Sequence, residues 1–221
     1  MLRTSFLLLL LTCFTLTTCA QRQRSVKASN NTVTEMRDHA DFTGLDVSST
    51  IEATVRQGSA YSVEIEASDN VIGLVETSVR SGVLQLTLAQ ETRYEDLKVR
   101  AVITMPTLTS LRASGAARVA ASGFTEGSGE MDFDFSGAAS VSVKDSRAKR
   151  LNLDASGASN VDLADLKVER AEIDVAGASS IKLGVSEQLS GKASGASSVR
   201  NRGSASLNVR TSGASRIQSV D

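Results

Sequence analysis

The sequence is poor in cysteine, histidine and tryptophan, and each shortage excludes a class of chemistry. Its two cysteines, Cys13 and Cys19, lie in an N-terminal apolar stretch that we expect to be removed or modified on export. The mature chain would then have neither a disulfide nor a free thiol. Redox chemistry, cysteine nucleophiles and cysteine-based zinc sites are thereby excluded.

Catalytic and sugar-stacking side chains are equally scarce. The single histidine, His39, has no acidic or aromatic cluster around it in the sequence, and we expect it to be exposed. General acid–base catalysis needs a positioned pair of groups with tuned pKa values, and the sequence contains no clear pair. Tyr61 and Tyr94 are the only tyrosines and tryptophan is absent, so few rings are offered to a sugar. We therefore predict a protein that is not an enzyme and has no cofactor.

The charge of the chain is nearly balanced. Twenty-four basic and 25 acidic residues give a net charge of −1. A nucleic-acid-binding domain carries a basic excess, so we predict that nucleic acid is not a partner.

The first 19 residues have the form of a signal peptide. Arg3 precedes an apolar run from Phe6 to Leu16 that is too short to span a bilayer. The run ends in the letters LTTC (residues 16–19), which resemble a bacterial lipobox with Cys19 as the lipidated residue; the alternative is ordinary cleavage after Ala20. We favour a lipid anchor that holds the protein at a membrane surface. The predicted location is the cell envelope, as an outer-membrane lipoprotein or else as a periplasmic or secreted protein.

The remaining chain divides into three parts. Residues 20–40 lack apolar periodicity and are predicted to form a flexible tether. Residues 41–107 contain several alternating, β-branched segments separated by turn signals such as Gln57-Gly58 and Ser81-Gly82. Residues 108–221 contain six copies of a Ser-Gly-Ala or Ala-Gly-Ala motif. We predict one domain over residues 41–221, with irregular opening coils over 41–107 and repeat coils over 108–221.

The six copies recur every 18 to 22 residues, a period typical of stacked repeat architectures. Their glycines are Gly115, Gly137, Gly157, Gly177, Gly195 and Gly213. The fourth residue after each glycine is always valine or isoleucine, and apolar and polar residues alternate on both sides of the glycine. This period of two indicates strands. Because one repeat cannot bury its apolar face alone, the pattern predicts an all-β, right-handed parallel β-helix (a β-solenoid) of about 18–22 residues per coil.

An alanine follows each of the six glycines, which suits a tight corner. Glycine would be needed there for a positive φ, for close backbone approach, or for both, and the sequence does not separate these reasons. A phosphate-binding loop fits poorly, because no strand–loop–helix context surrounds any copy.

A column of carboxylates is the best candidate for a functional cluster. Asp134, Asp154 and Asp174 occupy the same outward position in three successive repeats. Stacked carboxylates repel one another, which would raise their pKa values or attract a cation such as Ca²⁺. The alternative, which we favour, is a solvated face on which Arg112 and Lys192 supply the opposite charge. We therefore assign no metal site and keep these three aspartates as a weak candidate.

The chain resembles the putative auto-transporter adhesin, head GIN domain family, which is found mainly in Bacteroidetes. The resemblance rests on the segment DFTGLDV (residues 41–47), VRQG (residues 55–58), GVLQL (residues 82–86) and the serial Ser-Gly-Ala corners, and covers roughly residues 41–221. It implies a β-helical fold, export to the cell envelope and, by the family's name, adhesion. The family offers no catalytic or ligand-binding residues to carry over.

Three hypotheses for function follow. The first is a non-catalytic adhesin that presents a rigid β-solenoid surface to a surface glycan or protein. The second is a periplasmic scaffold or envelope-stress component, because the edge of the last coil could accept a strand from a protein partner. A polysaccharide-binding or polysaccharide-cleaving β-helix is the third and least favoured.

Overall fold

The structure, a computed structural model, describes residues 24–126 and 129–220 and is all-β, as predicted. Nine strands form its opening part: β1 (Arg24–Lys27), β2 (Thr32–Arg37), β3 (Gly44–Val47), β4 (Glu52–Gln57), β5 (Ser62–Ser68), β6 (Val75–Arg80), β7 (Val83–Leu88), β8 (Thr92–Glu95) and β9 (Val99–Met105). The repeats form ten more: β10 (Ser110–Ala113), β11 (Arg118–Ser122), β12 (Glu130–Phe135), β13 (Ser140–Lys144), β14 (Ser146–Ala155), β15 (Asn160–Val175), β16 (Ser180–Ala193), β17 (Ser198–Asn201), β18 (Ser206–Thr211) and β19 (Arg216–Ser219).

Seventeen of these strands belong to one mixed sheet, and the predicted right-handed parallel β-helix is wrong. Strand pairs β2–β5, β5–β9 and β6–β7 are antiparallel, and the sheet is nearly closed and barrel-shaped instead of being wound as a solenoid. The turn between β6 and β7 explains one reversal. Ser81 and Gly82 both have a positive φ, of 50° and 74°, which is the geometry of a two-residue hairpin turn.

Successive repeats pair in parallel and in register. Val141 lies beside Val119 on one side and Val161 on the other, and Val161 lies beside Ile181. These side chains are almost fully buried, with 0–2% of their surface exposed. Every second side chain along each strand therefore points towards the core. Because the repeats are evenly spaced, like residues lie beside each other on adjacent strands.

The glycine corners require glycine for both of the reasons left open by the sequence. All six have a positive φ, between 68° and 79°. At Gly137 a Cβ atom would also lie 2.7 Å from the backbone oxygen of Gly115, closer than real Cβ contacts. That oxygen accepts a hydrogen bond of 2.7 Å from the N–H of Ala138, so the corners are held together directly.

Part of the predicted tether is in fact structured. Residues 24–27 form β1, which pairs with β8 in a separate two-stranded parallel sheet, and residues 32–37 form β2, which pairs with β5. The turn between them is tied down by Asn31, whose side chain donates a 2.8 Å hydrogen bond to Asp69. The strand pattern of β2 is weak because Val33 is its one aliphatic residue on the partly buried side, so its strand conformation comes from pairing with β5.

The single helical element in the described part of the chain is a 3₁₀ turn at Ile72–Leu74. Within those residues no helix has the length and apolar character needed to cross a membrane. The predicted signal peptide and Cys19 lie outside the described residues.

Candidate functional site

The structure brings together the three aspartates predicted from the sequence. On the outer face of the sheet, Asp154 of β14 lies between Asp134 of β12 and Asp174 of β15. We call these three residues the acidic column. Arg112 precedes it and Lys192 follows it, as the sequence predicts, and the Lys192 Nζ atom lies 2.9 Å from the Asp174 carboxylate.

A second polar column runs beside the acidic column, two residues earlier on each strand. Here the side-chain amide of Asn152 donates hydrogen bonds of 2.7 Å to Asp132 and 3.2 Å to Glu130. The amide thus separates carboxylates that would otherwise face each other. Both columns are largely exposed, and the result is a polar stripe in which most carboxylates have a neutral or cationic neighbour.

Asp154 is an aspartate whose surroundings disfavour its charge. Partial burial raises the pKa of its carboxyl group, and the negative charges of Asp174 and Asp134 raise this pKa further. The positive charge of Lys192 lowers it. Asp46 of β3 lies next to Arg112 and extends the column; burial raises the pKa of Asp46 as well. In the residues that the structure describes, no group of three or more acidic, histidine or cysteine side chains is arranged to hold a metal ion.

We expect Asp154→Asn to stabilise the protein at pH 7. Because the folded-state pKa is raised, the folded chain retains a proton to higher pH than the unfolded chain, and stability falls as pH rises between the two values. The substitution removes this penalty. The group is exposed and screened by solvent, so the gain should be no more than about 0.5 kcal/mol.

Urea unfolding at several pH values tests this expectation. The difference between Asp154→Asn and wild type should shrink towards about pH 3, where the aspartate is protonated in both states. Asp38→Asn, at an exposed aspartate of the opening part, serves as a control that should show no gain. A variant less stable than wild type at pH 7 would contradict the repulsion argument.

A polar cleft of about 930 Å³ lies where the small sheet of β1 and β8 meets the large sheet. We call it the hydroxyl cleft, because serine and threonine hydroxyls line much of its wall: Ser48, Ser49, Thr50, Thr87 and Thr92. Tyr94 contributes the one aromatic ring, and its hydroxyl donates a 3.1 Å hydrogen bond to the backbone oxygen of Ala89. That bond orients the ring at the cleft wall.

Three of the four charged residues that line the hydroxyl cleft, Glu52, Arg100 and Arg118, are held in ion pairs. The Glu52 carboxylate lies 3.2 Å from Arg118 and 3.9 Å from Arg100, and Arg100 also contacts Glu66 at 3.0 Å. These contacts join β4, β9, β11 and β5 and fix the guanidinium groups. Hydroxyls, one ring and fixed guanidinium groups can together bind a polar, hydrogen-bonding ligand such as a sugar.

Sequence reasoning missed the hydroxyl cleft. Its lining comes from three segments that are far apart in the chain, and serine and threonine are common in turns, so no local motif marks it. Tyr94, one of the two tyrosines, was the one feature of the sequence that could have pointed to this cleft. His39, predicted to be exposed, is partly buried; its Nε2 atom lies 2.9 Å from the Thr77 hydroxyl, and it does not line the cleft.

Comparison with protein families gives one match that covers most of the chain. The family model described as "Putative auto-transporter adhesin, head GIN domain" matches residues 41–205. No curated protein shows significant sequence similarity to the chain.

Several solved structures share the fold. A putative adhesin from Bacteroides fragilis superposes with a TM-score of 0.66 at 18% identity, covering 88% of this chain and 100% of that one. A putative lipid binding protein from Parabacteroides distasonis gives 0.61 at 13% identity, with 90% and 100% covered. A putative adhesin from Parabacteroides merdae gives 0.56 at 16% identity, also with 90% and 100% covered. At these identities the similarity establishes the fold alone.

Proposed function

Because the chain belongs to the putative auto-transporter adhesin, head GIN domain family, we propose that it is a non-catalytic adhesion module that binds a glycan or protein at the hydroxyl cleft. Membership in this family implies an exported or cell-surface protein, and the predicted resemblance to the family is confirmed.

The hydroxyl cleft is the observation that carries the proposal. Its hydroxyl-rich lining offers many donors and acceptors that can rotate to suit a ligand, which favours recognition of a polar surface. Glu52 is the one carboxylate that lines the hydroxyl cleft, and it is held between Arg100 and Arg118. A carboxylate in this position neutralises and positions cations, which favours binding over proton transfer to a substrate.

Adhesion of living cells tests the proposal. A Bacteroides strain that expresses the full chain should adhere to some members of a panel of immobilised glycans and matrix proteins more strongly than the same strain without it. Thr50→Arg, at an exposed cleft residue, places a long side chain across the opening and should reduce that adhesion at least about fivefold. Thr34→Arg makes the same chemical change on β2, outside the cleft, and should leave adhesion unchanged.

Two results would contradict adhesion. One is equal adhesion with and without the chain on every surface. The other is complete protection of the chain from protease added to intact cells, since an adhesin must face outward.

A lipid anchor at Cys19 would give the module its attachment to the membrane. Labelled palmitate should be incorporated into the wild-type chain and lost in Cys19→Ser. Equal labelling of the two chains would rule this anchor out, and the absence of label from both would favour cleavage after Ala20.

A scaffold within the cell envelope is the second candidate, and the last repeat favours it. Among the described strands, β18 and β19 each have a ladder partner from the preceding repeat but none on the other side. Leu207 and Val220, near this edge, are 41% and 43% exposed. An open edge with apolar side chains can accept a strand from a protein partner. Crosslinking in intact cells that recovers the chain alone would count against this candidate.

A further inference from the structure

A groove on the repeat part of the molecule collects basic side chains. It has a volume of about 930 Å³ and is lined by Arg147 and Lys149 of β14, Lys167 of β15 and Arg202, which follows β17. We call these four residues and the space between them the basic groove. Arg147 and Lys167 are register partners on adjacent strands, so their side chains leave the sheet roughly 5 Å apart.

The four cations of the basic groove have no carboxylate partner in residues 24–126 and 129–220. Some cations elsewhere in the repeats are neutralised: Lys182 contacts Asp162 at 2.9 Å and Lys192 contacts Asp174 at 2.9 Å. The one acidic residue in the lining, Glu169, lies 3.8 Å from Arg170. A chain with a net charge of −1 thus places four cations without an ion-pair partner around one concave surface.

The floor of the groove is formed by residues with small or buried side chains. Gly184 follows Lys167 in the register and contributes no side chain, and Gly203 lies beside the backbone of Val185. At Gly184 a Cβ atom would lie 2.6 Å from the Ala164 oxygen. The glycines therefore keep the strands close and leave a trough between the long basic side chains.

The trough continues into a neighbouring recess. A second hollow of about 350 Å³ shares Arg202 with the basic groove and adds Arg200 and Lys144 to the positive charge. Asp162, Asp165 and Lys182 also line this recess, and Lys182 is already paired with Asp162. The cations thus form an extended track that suits an elongated ligand with repeated negative charges better than a single small anion.

We propose that the basic groove binds an acidic polysaccharide, a glycan chain that carries carboxylate or sulfate groups. The inference rests on the proposed adhesion function and assigns to it a second binding surface with its own ligand class. Guanidinium and ammonium groups form charge-assisted hydrogen bonds with carboxylates and sulfates. A nucleic acid fits poorly, since the lining has no aromatic side chain on which a base could stack. A membrane surface also fits poorly, because the apolar residues of the lining, Ala148, Val168 and Val185, are buried.

Calorimetry with heparin and polygalacturonate as probes tests the inference on the purified full chain. We expect one or both to bind, with neutral dextran as the negative control, and we expect the affinity to fall as salt rises. Arg147→Gln combined with Lys167→Gln should weaken binding at least about tenfold. Arg56→Gln combined with Arg80→Gln removes the same charge from exposed positions on β4 and β6 and should change the affinity less than about twofold.

Four outcomes would overturn the inference. They are no binding of either polysaccharide, an equal loss of affinity in both double variants, tighter binding of polyglutamate, and tighter binding of phosphatidylglycerol vesicles. If Thr50→Arg abolished adhesion and the Arg147 and Lys167 substitutions left it unchanged, the hydroxyl cleft would be the adhesive site. The basic groove would then have no role in adhesion. The reverse pattern would instead show that the hydroxyl cleft has no role in adhesion.

Discussion

Gly137→Ala is expected to lower the free energy of unfolding by about 3 kcal/mol. The φ of Gly137 is 72°, and an alanine in this left-handed region costs about 1–2 kcal/mol. Its Cβ atom would also lie 2.7 Å from the Gly115 oxygen, a backbone atom that cannot turn aside. Overpacking of this kind adds about 1–3 kcal/mol. Urea unfolding followed by circular dichroism measures the loss, provided that the m value is unchanged.

Gly82→Ala is the matched control for this prediction. Gly82 has almost the same φ, 74°, but a Cβ atom there would have no other atom within 4 Å. Gly82→Ala should therefore lower the free energy of unfolding only by the cost of the backbone conformation, about 1 kcal/mol. Equal losses in the two variants would mean that the close approach between corners contributes nothing. No loss in Gly137→Ala would mean that the corner can relax without cost.

The register of the repeats was predictable because spacing determines it. A valine or isoleucine four residues after each glycine places like side chains at the same point of successive repeats, and Val141, Val161 and Ile181 are indeed adjacent. The acidic column was predictable for the same reason. The sequence also predicts the all-β class, since alternation with a period of two is a local property.

The overall architecture was not predictable in the same way, because strand direction depends on turns and on distant partners. Ser81-Gly82 is recognisable as a turn, but its two positive φ values, which reverse the chain into a hairpin, are not written in the alternation pattern. Strand β2 shows the same limit. The segment is polar, and its strand conformation depends on β5, about thirty residues later.

The hydroxyl cleft and the basic groove were missed because each depends on tertiary proximity. Arg202 is 55 residues from Arg147 in the chain, yet both line one groove. Summing charge over the sequence gives a value near zero and hides this local excess. A count of basic residues by repeat position would have detected part of it, since Arg147 and Lys167 occupy equivalent positions in neighbouring repeats.

Asn201→Leu is expected to lower the free energy of unfolding by about 3 kcal/mol. Asn201 is fully buried at the end of β17. Its side-chain oxygen accepts a 2.9 Å hydrogen bond from the N–H of Val185, and its amide group donates to the oxygens of Val185 at 3.1 Å and Gly203 at 3.2 Å. Leucine has a similar volume but leaves these backbone groups without their partner. Each orphaned buried group costs about 1–3 kcal/mol.

Asn201→Asp separates the hydrogen bonds from the shape of the side chain. The carboxylate can still accept from Val185 but cannot donate, and it buries a charge, which raises its pKa. The folded form of this variant should hold a proton more tightly than its unfolded form, so its stability should rise as pH falls through the folded-state pKa. Thermal unfolding of both variants from pH 7 to about pH 4 measures this difference, which Asn201→Leu should not show.

Asn208→Leu controls for the chemical change at an exposed position of β18 and should alter stability by no more than about 0.5 kcal/mol. If Asn201→Leu matched this control, the buried amide would not be needed to hold Val185 and Gly203 together. Because Gly203 and Val185 also form the floor of the basic groove, a folded Asn201→Leu variant should bind heparin more weakly than wild type. Wild-type affinity in a clearly destabilised variant would show that the groove does not depend on this contact and that its basic side chains alone determine binding.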